Sequence, residues 1–144
     1  SHLRTRLCEF NMTNITCTYT GDLHCQAIHS GSGARLSTDA PLDNEGKGEA
    51  CSPTDLLATS LGTCMLTIMG ITARSRGWSI EGASANIEKV MSADGPRRID
   101  TLRVTLQLPE QLDDDQRALL QRVAEQCPVK RSIVPLINAE IHWA

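Results

Sequence analysis

The feature that most constrains this chain is a stretch without any charged residue, which covers residues 56–73. Its 18 residues reach the lower limit for crossing a bilayer. Five of them are Thr or Ser and two are Gly, however, and such residues insert poorly into a membrane. Ser52 has the side chain of an N-cap, Pro53 suits the first helical position, and Asp55 completes a capping-box pattern. The segment therefore predicts a buried core helix that begins at Pro53 and ends before Gly77.

Segments that alternate polar and apolar residues lie on both sides of this helix and predict strands. Gly21-Asp22 separates the first two segments and residues 93–96 (ADGP) separate a later pair, so each pair is expected to form a hairpin. The predicted elements are strands over residues 15–20, 23–29 and 34–38, the long helix, strands over 80–92 and 97–108, helices over 113–125 and after Pro128, and a strand over 139–143. Hairpins followed by helices indicate an α+β fold in a single domain over residues 1–144.

The composition excludes several classes of protein. Lys and Arg number 14 against 17 Asp and Glu, and the basic clusters are only Arg97-Arg98 and Lys130-Arg131, so we expect no nucleic-acid partner. The sequence contains no P-loop, dinucleotide fingerprint or GxSxG motif, and we expect no cofactor. The first residues contain no apolar run of the length found in signal peptides, which predicts a cytoplasmic protein that does not associate with a membrane.

The cysteines and histidines do not form a recognisable metal-binding pattern. The six cysteines form no CxxC pair, and they are too few for a small secreted disulfide scaffold. They are Cys8, Cys17, Cys25, Cys51, Cys64 and Cys127. His24, His29 and His142 lie in predicted strands at spacings that fit no metal site, so we interpret them as ordinary strand residues. The sequence therefore predicts no bound metal.

Two of the cysteines are candidates for chemistry. Cys64 lies in the middle of the long helix among apolar neighbours, where a free cysteine can also serve simply as a small hydrophobic residue. Cys127 precedes Pro128 and is expected at the N-cap of the short helix, where unpaired N–H groups and the helix dipole lower the pKa of a thiol. It could equally be a small residue required before a helix that begins with proline. Cys51, just before the long helix, is a weaker third candidate.

Three short motifs occur in a specific combination: TDAP at residues 38–41, SPTDLLATSLGTC at residues 52–64 and CPVKRSI at residues 127–133. Together they contain a cysteine in a small-residue helix that begins at Ser-Pro, followed by a later Cys-Pro. In this order, with hairpins between them, they resemble the OsmC/Ohr family of thiol-dependent hydroperoxide reductases. The resemblance spans nearly the whole chain.

The resemblance implies an α+β homodimer of intertwined chains, in which a long central helix packs against strongly curved antiparallel sheets and the active sites lie at the dimer interface. It implies that Cys64 attacks the O–O bond of an organic peroxide, or of hydrogen peroxide, and becomes a sulfenic acid. Cys127 would then resolve this acid as a disulfide. A dithiol, such as the lipoyl group of a lipoylated protein, would reduce the disulfide.

One part of the family pattern is missing from this chain. A thiol with an ordinary pKa near 8.5 is only about 3% ionised at pH 7, and peroxidase members of the family activate it with an Arg from the first hairpin and a Glu that orients this Arg. Here Thr54 occupies the Glu position, ten residues before Cys64, and the hairpin turn contains no Arg. Glu49, in a charged loop that we expect to be mobile, is a candidate carboxylate. Arg35 and Arg131 are the candidate cations.

Two other functions are open at the level of sequence. The same fold could use an apolar pocket bordered by Leu57, Leu61 and Ile68 to bind a small hydrophobic molecule without catalysis. It could also act as a redox sensor that forms the disulfide without turnover. The sequence cannot show that the two sulfurs meet, because a disulfide requires Cα atoms within about 7 Å and the two cysteines are 63 positions apart.

Overall fold

The computed structural model describes residues 12–144, which form two compact units. The first unit ends at Pro53, and the second extends from Thr54 to Ala144. Cys8 and the rest of the first 11 residues lie outside the described part of the chain. The first unit is built mainly from strands, whereas the second combines helices with strands.

The first unit is a three-stranded antiparallel sheet with the strand order β1-β2-β3. Its strands are β1 (Ile15–Gly21), β2 (His24–His29) and β3 (Arg35–Asp39), and a 3-10 turn over Leu42–Asn44 follows. The predicted hairpin forms, but its turn lies one residue later than expected. Asp22 and Leu23 adopt the positive φ angles of the turn, 52° and 63°, and Gly21 belongs to β1 at a shift of register.

The second unit contains three helices and a second three-stranded sheet. The helices are α1 (Pro53–Ser75), α2 (Asp114–Ala124) and α3 (Pro128–Ile133), and the strands are β4 (Ser84–Met91), β5 (Ile99–Gln107) and β6 (Asn138–Trp143). The strand order is β4-β5-β6, with β4 antiparallel and β6 parallel to β5. The sequence predicted β6 but not its direction. The helical crossover through α2 and α3 returns the chain to the starting end of β5, so β6 runs parallel to it.

The helix α1 packs one face on this second sheet. The fully buried side chains of this core include Leu61, Met65 and Met69 of α1 and Leu102, Val104 and Leu106 of β5. The β5 residues share one face because alternate side chains of a strand point the same way. The helix α1 has 23 residues, and its most apolar stretch of 18 residues has a mean hydropathy of 1.6, so it is long and apolar enough to cross a membrane by length and composition. The buried face of α1 lies in the core. The combination of helices and strands confirms the predicted α+β fold.

The helix ends follow the chemistry that the sequence indicated. Gly77 adopts a φ of 73°, and the N–H of Trp78 donates to the carbonyl of Ala73 at 2.8 Å, which closes the last turn of α1. Asp113 caps α2 by accepting the N–H of Gln116 at 2.8 Å, while its own N–H donates to the Gln116 side chain at 2.9 Å. The α2 helix therefore starts at a complete capping box.

Candidate functional site

The two candidate cysteines lie on different helices of the second unit. Cys64 is near the middle of α1 and is half-buried, and it packs against the core. Cys127 follows α2 and occupies the N-cap of α3, with Pro128 at the start of that helix. Its side chain is fully buried in the core. The predicted N-cap position of Cys127 is therefore correct.

The Cys64 thiol contributes to the pKa of Cys127, so the two side chains lie close to each other, and both are free thiols. The fold thus brings together two cysteines that are 63 positions apart. A neighbouring pair of free thiols is the arrangement from which a disulfide, with an S–S bond of about 2.05 Å, can form.

The pKa of Cys127 contradicts the expectation from its N-cap position. Burial raises the pKa of the Cys127 thiol, and the neighbouring Cys64 thiol raises it further. The N–H groups of Lys130 and Val129, at the start of α3, act in the opposite direction but do not overcome this effect. The prediction of a lowered pKa was wrong, because loss of solvent disfavours the thiolate more than the helix terminus favours it. Cys127 therefore keeps its proton at neutral pH.

An open cleft of about 500 Å³ lies beside Cys64. Its lining comes from one side of α1 and the start of α3, namely Ser60, Thr63, Cys64, Thr67, Ile68, Ile71, Pro128 and Val129. The hydroxyls of Ser60 and Thr63 donate to carbonyls of their own helix, at 2.6 Å and 2.9 Å. The cleft therefore presents mostly apolar groups and, within the second unit, no charged side chain.

This lining corrects part of the predicted pocket border. Ile68 lines the cleft, as expected. Leu61 does not, because its side chain is fully buried in the core between α1 and the second sheet. Leu57 also packs against the core. The helical spacing placed these residues near Cys64, but only the position of the sheet decides which side of α1 becomes the core.

The three candidate charge partners occupy separate places. Arg131 is exposed on α3, and its backbone N–H donates to the carbonyl of Cys127 at 3.1 Å, but its side chain does not line the cleft. Arg35 starts β3 in the first unit and donates to Gln26 at 3.3 Å. Glu49, also in the first unit, is 3.4 Å from the imidazole of His24. None of these contacts marks a cation that activates Cys64.

Thr54, which replaces the family Glu, takes part in a different cluster. The Lys89 ammonium of β4 donates to the Thr54 hydroxyl at 2.7 Å and pairs with the Asp55 carboxylate at 2.8 Å. Thr54 and Cys64 are ten residues apart on one helix, which is about 15 Å along the axis. The Lys89 cluster therefore joins the start of α1 to β4 and does not reach the sulfur of Cys64.

One cluster of ionisable side chains was not predicted from the sequence. His24, Asp39 and Glu49, all in the first unit, place ligand atoms within 4.8 Å of one another. His24 and Asp39 are opposite partners across β2 and β3. The spacing of these residues in the sequence could not predict the cluster, because they meet only through the register of β2 and β3. The interpretation of His24 as an ordinary strand residue was therefore incomplete.

The model of a protein family described as OsmC-like protein matches residues 46–142 of this chain. That match includes both Cys64 and Cys127. No curated protein matches the chain significantly. The family assignment therefore rests on the family model and on solved structures.

Solved structures resemble the chain over most of its length. A crystal structure from Psychrobacter arcticus 273-4, provisionally described as an osmotic stress induced and detoxification response protein, is 47% identical with a TM-score of 0.85, and the match covers 92% of this chain and 96% of that one. OsmC of Legionella pneumophila, an organic hydroperoxide resistance protein, is 17% identical with a TM-score of 0.72 over 92% and 96% of the two chains. OhrB of Bacillus subtilis, also an organic hydroperoxide resistance protein, is 14% identical with a TM-score of 0.66 over 92% and 98%. The last two show the shared fold alone.

Proposed function

The chain belongs to the OsmC-like family, and from this premise we propose that it is a thiol-dependent reductase of organic hydroperoxides, with Cys64 as the nucleophile and Cys127 as the resolving cysteine. The proximity of the two thiols, through which Cys64 raises the pKa of Cys127, is the observation that carries the proposal. A cysteine peroxidase with a resolving thiol requires such a pair.

The proton on Cys127 supports this division of roles. Because burial and the neighbouring Cys64 raise the pKa of Cys127, Cys127 stays protonated at neutral pH. A protonated thiol is a poor nucleophile, which leaves Cys64 as the candidate to attack the peroxide, with the Cys127 S–H available as a donor. Cys64 is also the partner that borders the cleft, whereas Cys127 is fully buried. Access and protonation therefore both favour Cys64 as the nucleophile.

The reaction would proceed in two steps on the protein. The Cys64 thiolate attacks the terminal oxygen of the hydroperoxide, the O–O bond breaks, and the alkoxide leaves as an alcohol after taking a proton. Cys64 is now a sulfenic acid. The Cys127 sulfur attacks the Cys64 sulfur, an S–S bond forms, and water leaves with the proton from Cys127. A dithiol reductant then returns both thiols by exchange and becomes a disulfide itself.

The cleft beside Cys64 favours an apolar substrate. Ile68, Ile71 and Val129 provide aliphatic surface, and the nearby hydroxyls are engaged within the helix. An alkyl or aryl hydroperoxide could bury its organic group there while its O–O bond faces the sulfur. As implied by the resemblance, we propose that the enzyme acts as a cytoplasmic homodimer with a lipoyl-type dithiol as reductant. Arg35, Arg131 and Glu49 remain the proposed charge partners.

The proposal is tested by mass spectrometry of the reduced protein after one equivalent of cumene hydroperoxide. We expect a Cys64-Cys127 crosslink with the loss of two hydrogen atoms, reversed by a dithiol. Cys64→Ser should abolish dithiol-dependent peroxide consumption, and Cys127→Ser should stop the reaction at a sulfenic acid on Cys64. Cys51→Ser, which changes an exposed cysteine, is the matched control and should react like the wild type.

A Cys64→Ser variant that consumes peroxide at the wild-type rate would refute the proposal. If Cys64 stays a free thiol in the wild type, the second candidate function gains support. In that case the apolar cleft holds a small hydrophobic molecule, which the absence of charged side chains in its lining favours. Saturable binding that survives replacement of both cysteines would identify this function.

A further inference from the structure

A cluster in the first unit, separate from the two cysteines, has the geometry of a metal site. The register of β2 and β3 places His24 directly opposite Asp39. The backbone N–H of Glu49 donates to Asp39 Oδ2 at 2.9 Å, which holds the Glu49 side chain beside this pair. His24 Nε2 lies 3.6 Å from Asp39 Oδ2 and 3.4 Å from Glu49 Oε2. The three side chains thus come together from β2, from β3 and from the loop that follows β3.

These distances suit ligands around an ion better than direct hydrogen bonds. An N–H···O hydrogen bond is normally 2.7–3.2 Å long, which is shorter than both contacts of His24 Nε2. Metal–nitrogen and metal–oxygen bonds to Zn²⁺ are about 2.0–2.2 Å, and a tetrahedron with such bonds has edges of about 3.3–3.6 Å. The observed separations of 3.4 Å and 3.6 Å fall within this range.

The imidazole of His24 is oriented as in metal-bound histidines. Its Nδ1 lies 2.7 Å from the carbonyl oxygen of Asp22, and a carbonyl can only accept. Nδ1 therefore carries the proton, and in the neutral ring the lone pair is on Nε2, which faces the two carboxylates. Histidine ligands in proteins commonly donate their second ring N–H to a carbonyl in this way, which fixes both the tautomer and the ring.

The Asp39 carboxyl independently points to a cation at this place. Its side chain is only 1% exposed, and its Oδ1 atom is buried without a hydrogen-bond partner among the described residues. Buried carboxylates are normally paired or bound to a metal.

The net charge of the cluster suits a divalent ion. With His24 neutral, as a metal ligand must be, the Asp39 and Glu49 carboxylates contribute two negative charges. Lys47 and Asp22 lie nearby and form an ion pair with each other at 3.3 Å. A divalent cation would therefore neutralise the cluster. Glu49 is about half exposed, so an ion could enter from solvent and keep water as a further ligand.

We infer that His24, Asp39 and Glu49 bind a divalent transition-metal ion of the Zn²⁺ class through one nitrogen and two carboxylate oxygens. The imidazole favours such ions over Mg²⁺ and Ca²⁺, which prefer oxygen ligands alone. Cys25 follows His24 on β2, and its side chain points to the opposite face of the sheet. The site is therefore expected to bind its metal without a thiolate.

The experiment uses the full chain, stripped of metal by a chelator and kept reduced. Titration with Zn²⁺ is followed by calorimetry, and titration with Co²⁺ is followed by visible absorption, which reports the ligand set. We expect one equivalent of each ion to bind, and the Co²⁺ complex to lack the sulfur-to-metal charge-transfer band that thiolate ligands produce. A higher melting temperature with Zn²⁺ should accompany binding, because the ion binds only the folded site.

Two variants identify the ligands. Glu49→Gln changes an exposed side chain and should fold normally, and His24→Asn removes the nitrogen ligand. Each should weaken Zn²⁺ binding by about 10- to 100-fold or more, since loss of outer-shell partners alone has this effect. His29→Asn, at the exposed end of the same strand, is the matched control and should bind like the wild type. Cys64→Ser should also leave the metal titration unchanged.

Several results would overturn the inference. They are the absence of binding by the stripped wild type, equal affinity in the Glu49→Gln and His24→Asn variants, and a thiolate charge-transfer band in the Co²⁺ complex. The last result would assign the ion to cysteines instead. Because the metal titration does not depend on peroxide turnover, its failure would leave the peroxidase proposal standing, and failure of the peroxidase test would leave the metal site standing.

Discussion

At the scale of single residues, Cys127 shows how burial can override local helix electrostatics. Its position at the N-cap of α3 is one where helix N–H groups stabilise a thiolate. Burial and the neighbouring Cys64 thiol nevertheless raise the pKa of Cys127. When Cys127 attacks a sulfenic acid on Cys64, it gives up this proton, which the leaving hydroxide takes as water.

This raised pKa predicts a loss of stability in alkaline solution. The folded state binds the Cys127 proton more tightly than the unfolded state, so the contribution to stability is complete below the ordinary pKa of the thiol and is lost as the pH rises through the higher folded value. In urea unfolding under reducing conditions, we expect the unfolding free energy of the wild type to fall as the pH rises past about 9. Cys127→Ala should show a weaker decline.

The control for this measurement is Cys17→Ser, which alters an exposed cysteine of β1 and should keep the wild-type pH dependence. An identical alkaline decline in Cys127→Ala and wild type would contradict the assignment of the titration to Cys127.

At the scale of elements, the start of α2 shows what a sequence pattern can and cannot predict about the end of a helix. Three consecutive Asp residues, at positions 113–115, indicated a helix start without indicating which one is the cap. The structure selects Asp113, whose carboxylate accepts the N–H of Gln116, and leaves Asp114 and Asp115 in the first turn. The cap satisfies a specific orphan N–H, whereas the other two act only through the helix dipole.

This difference predicts unequal effects of two neighbouring substitutions. Asp113→Ala should lower the unfolding free energy by about 1 kcal/mol, within the range of 0.5–2 kcal/mol known for caps. Asp114→Ala, the matched control, should cost only about 0.3–1 kcal/mol or less, because it removes a charge near the dipole but no cap. Chemical unfolding of both variants at neutral pH measures this difference. A larger loss for Asp114→Ala would show that the cap lies elsewhere.

At the scale of the whole molecule, large apolar side chains remain exposed on the single chain. They include Leu136 at 83%, Leu42 at 78% and Ile71 at 64% exposure. Isolated exposed apolar residues are common, but Ile71 lines the cleft beside Cys64. A partner chain that covers such residues would also exclude water from the site. The intertwined homodimer that the family resemblance implies would provide this cover.

The homodimer is tested by sedimentation equilibrium of the reduced protein. We expect a mass of twice 15.7 kDa over the micromolar range. Ile71→Asp should shift the equilibrium toward the monomer. Val90→Asp, at an exposed position of β4 that does not line the cleft, is the control and should leave the equilibrium unchanged. A wild-type mass of 15.7 kDa throughout would contradict the dimer.

That residues 1–144 form one domain stays a prediction.

The sequence by itself determined the order of most elements and the family. The uncharged segment, its Ser-Pro start and its Gly stop were sufficient for α1, because a helix end depends on a few adjacent residues. Turn residues and alternation predicted the hairpins to within a few residues for the same reason. The motifs around Cys64 and Cys127 indicated the family, which the comparisons confirmed.

Only the tertiary structure decided which side chains meet. The contact of Cys64 with Cys127, the burial that raises the pKa of Cys127, and the parallel direction of β6 all depend on packing between distant segments. The cluster of His24, Asp39 and Glu49 depends on the register of two strands and the loop that follows them. A shift of register by one residue would turn these side chains to the opposite face. Local patterns do not contain that information, since it arises from contacts that are remote in sequence.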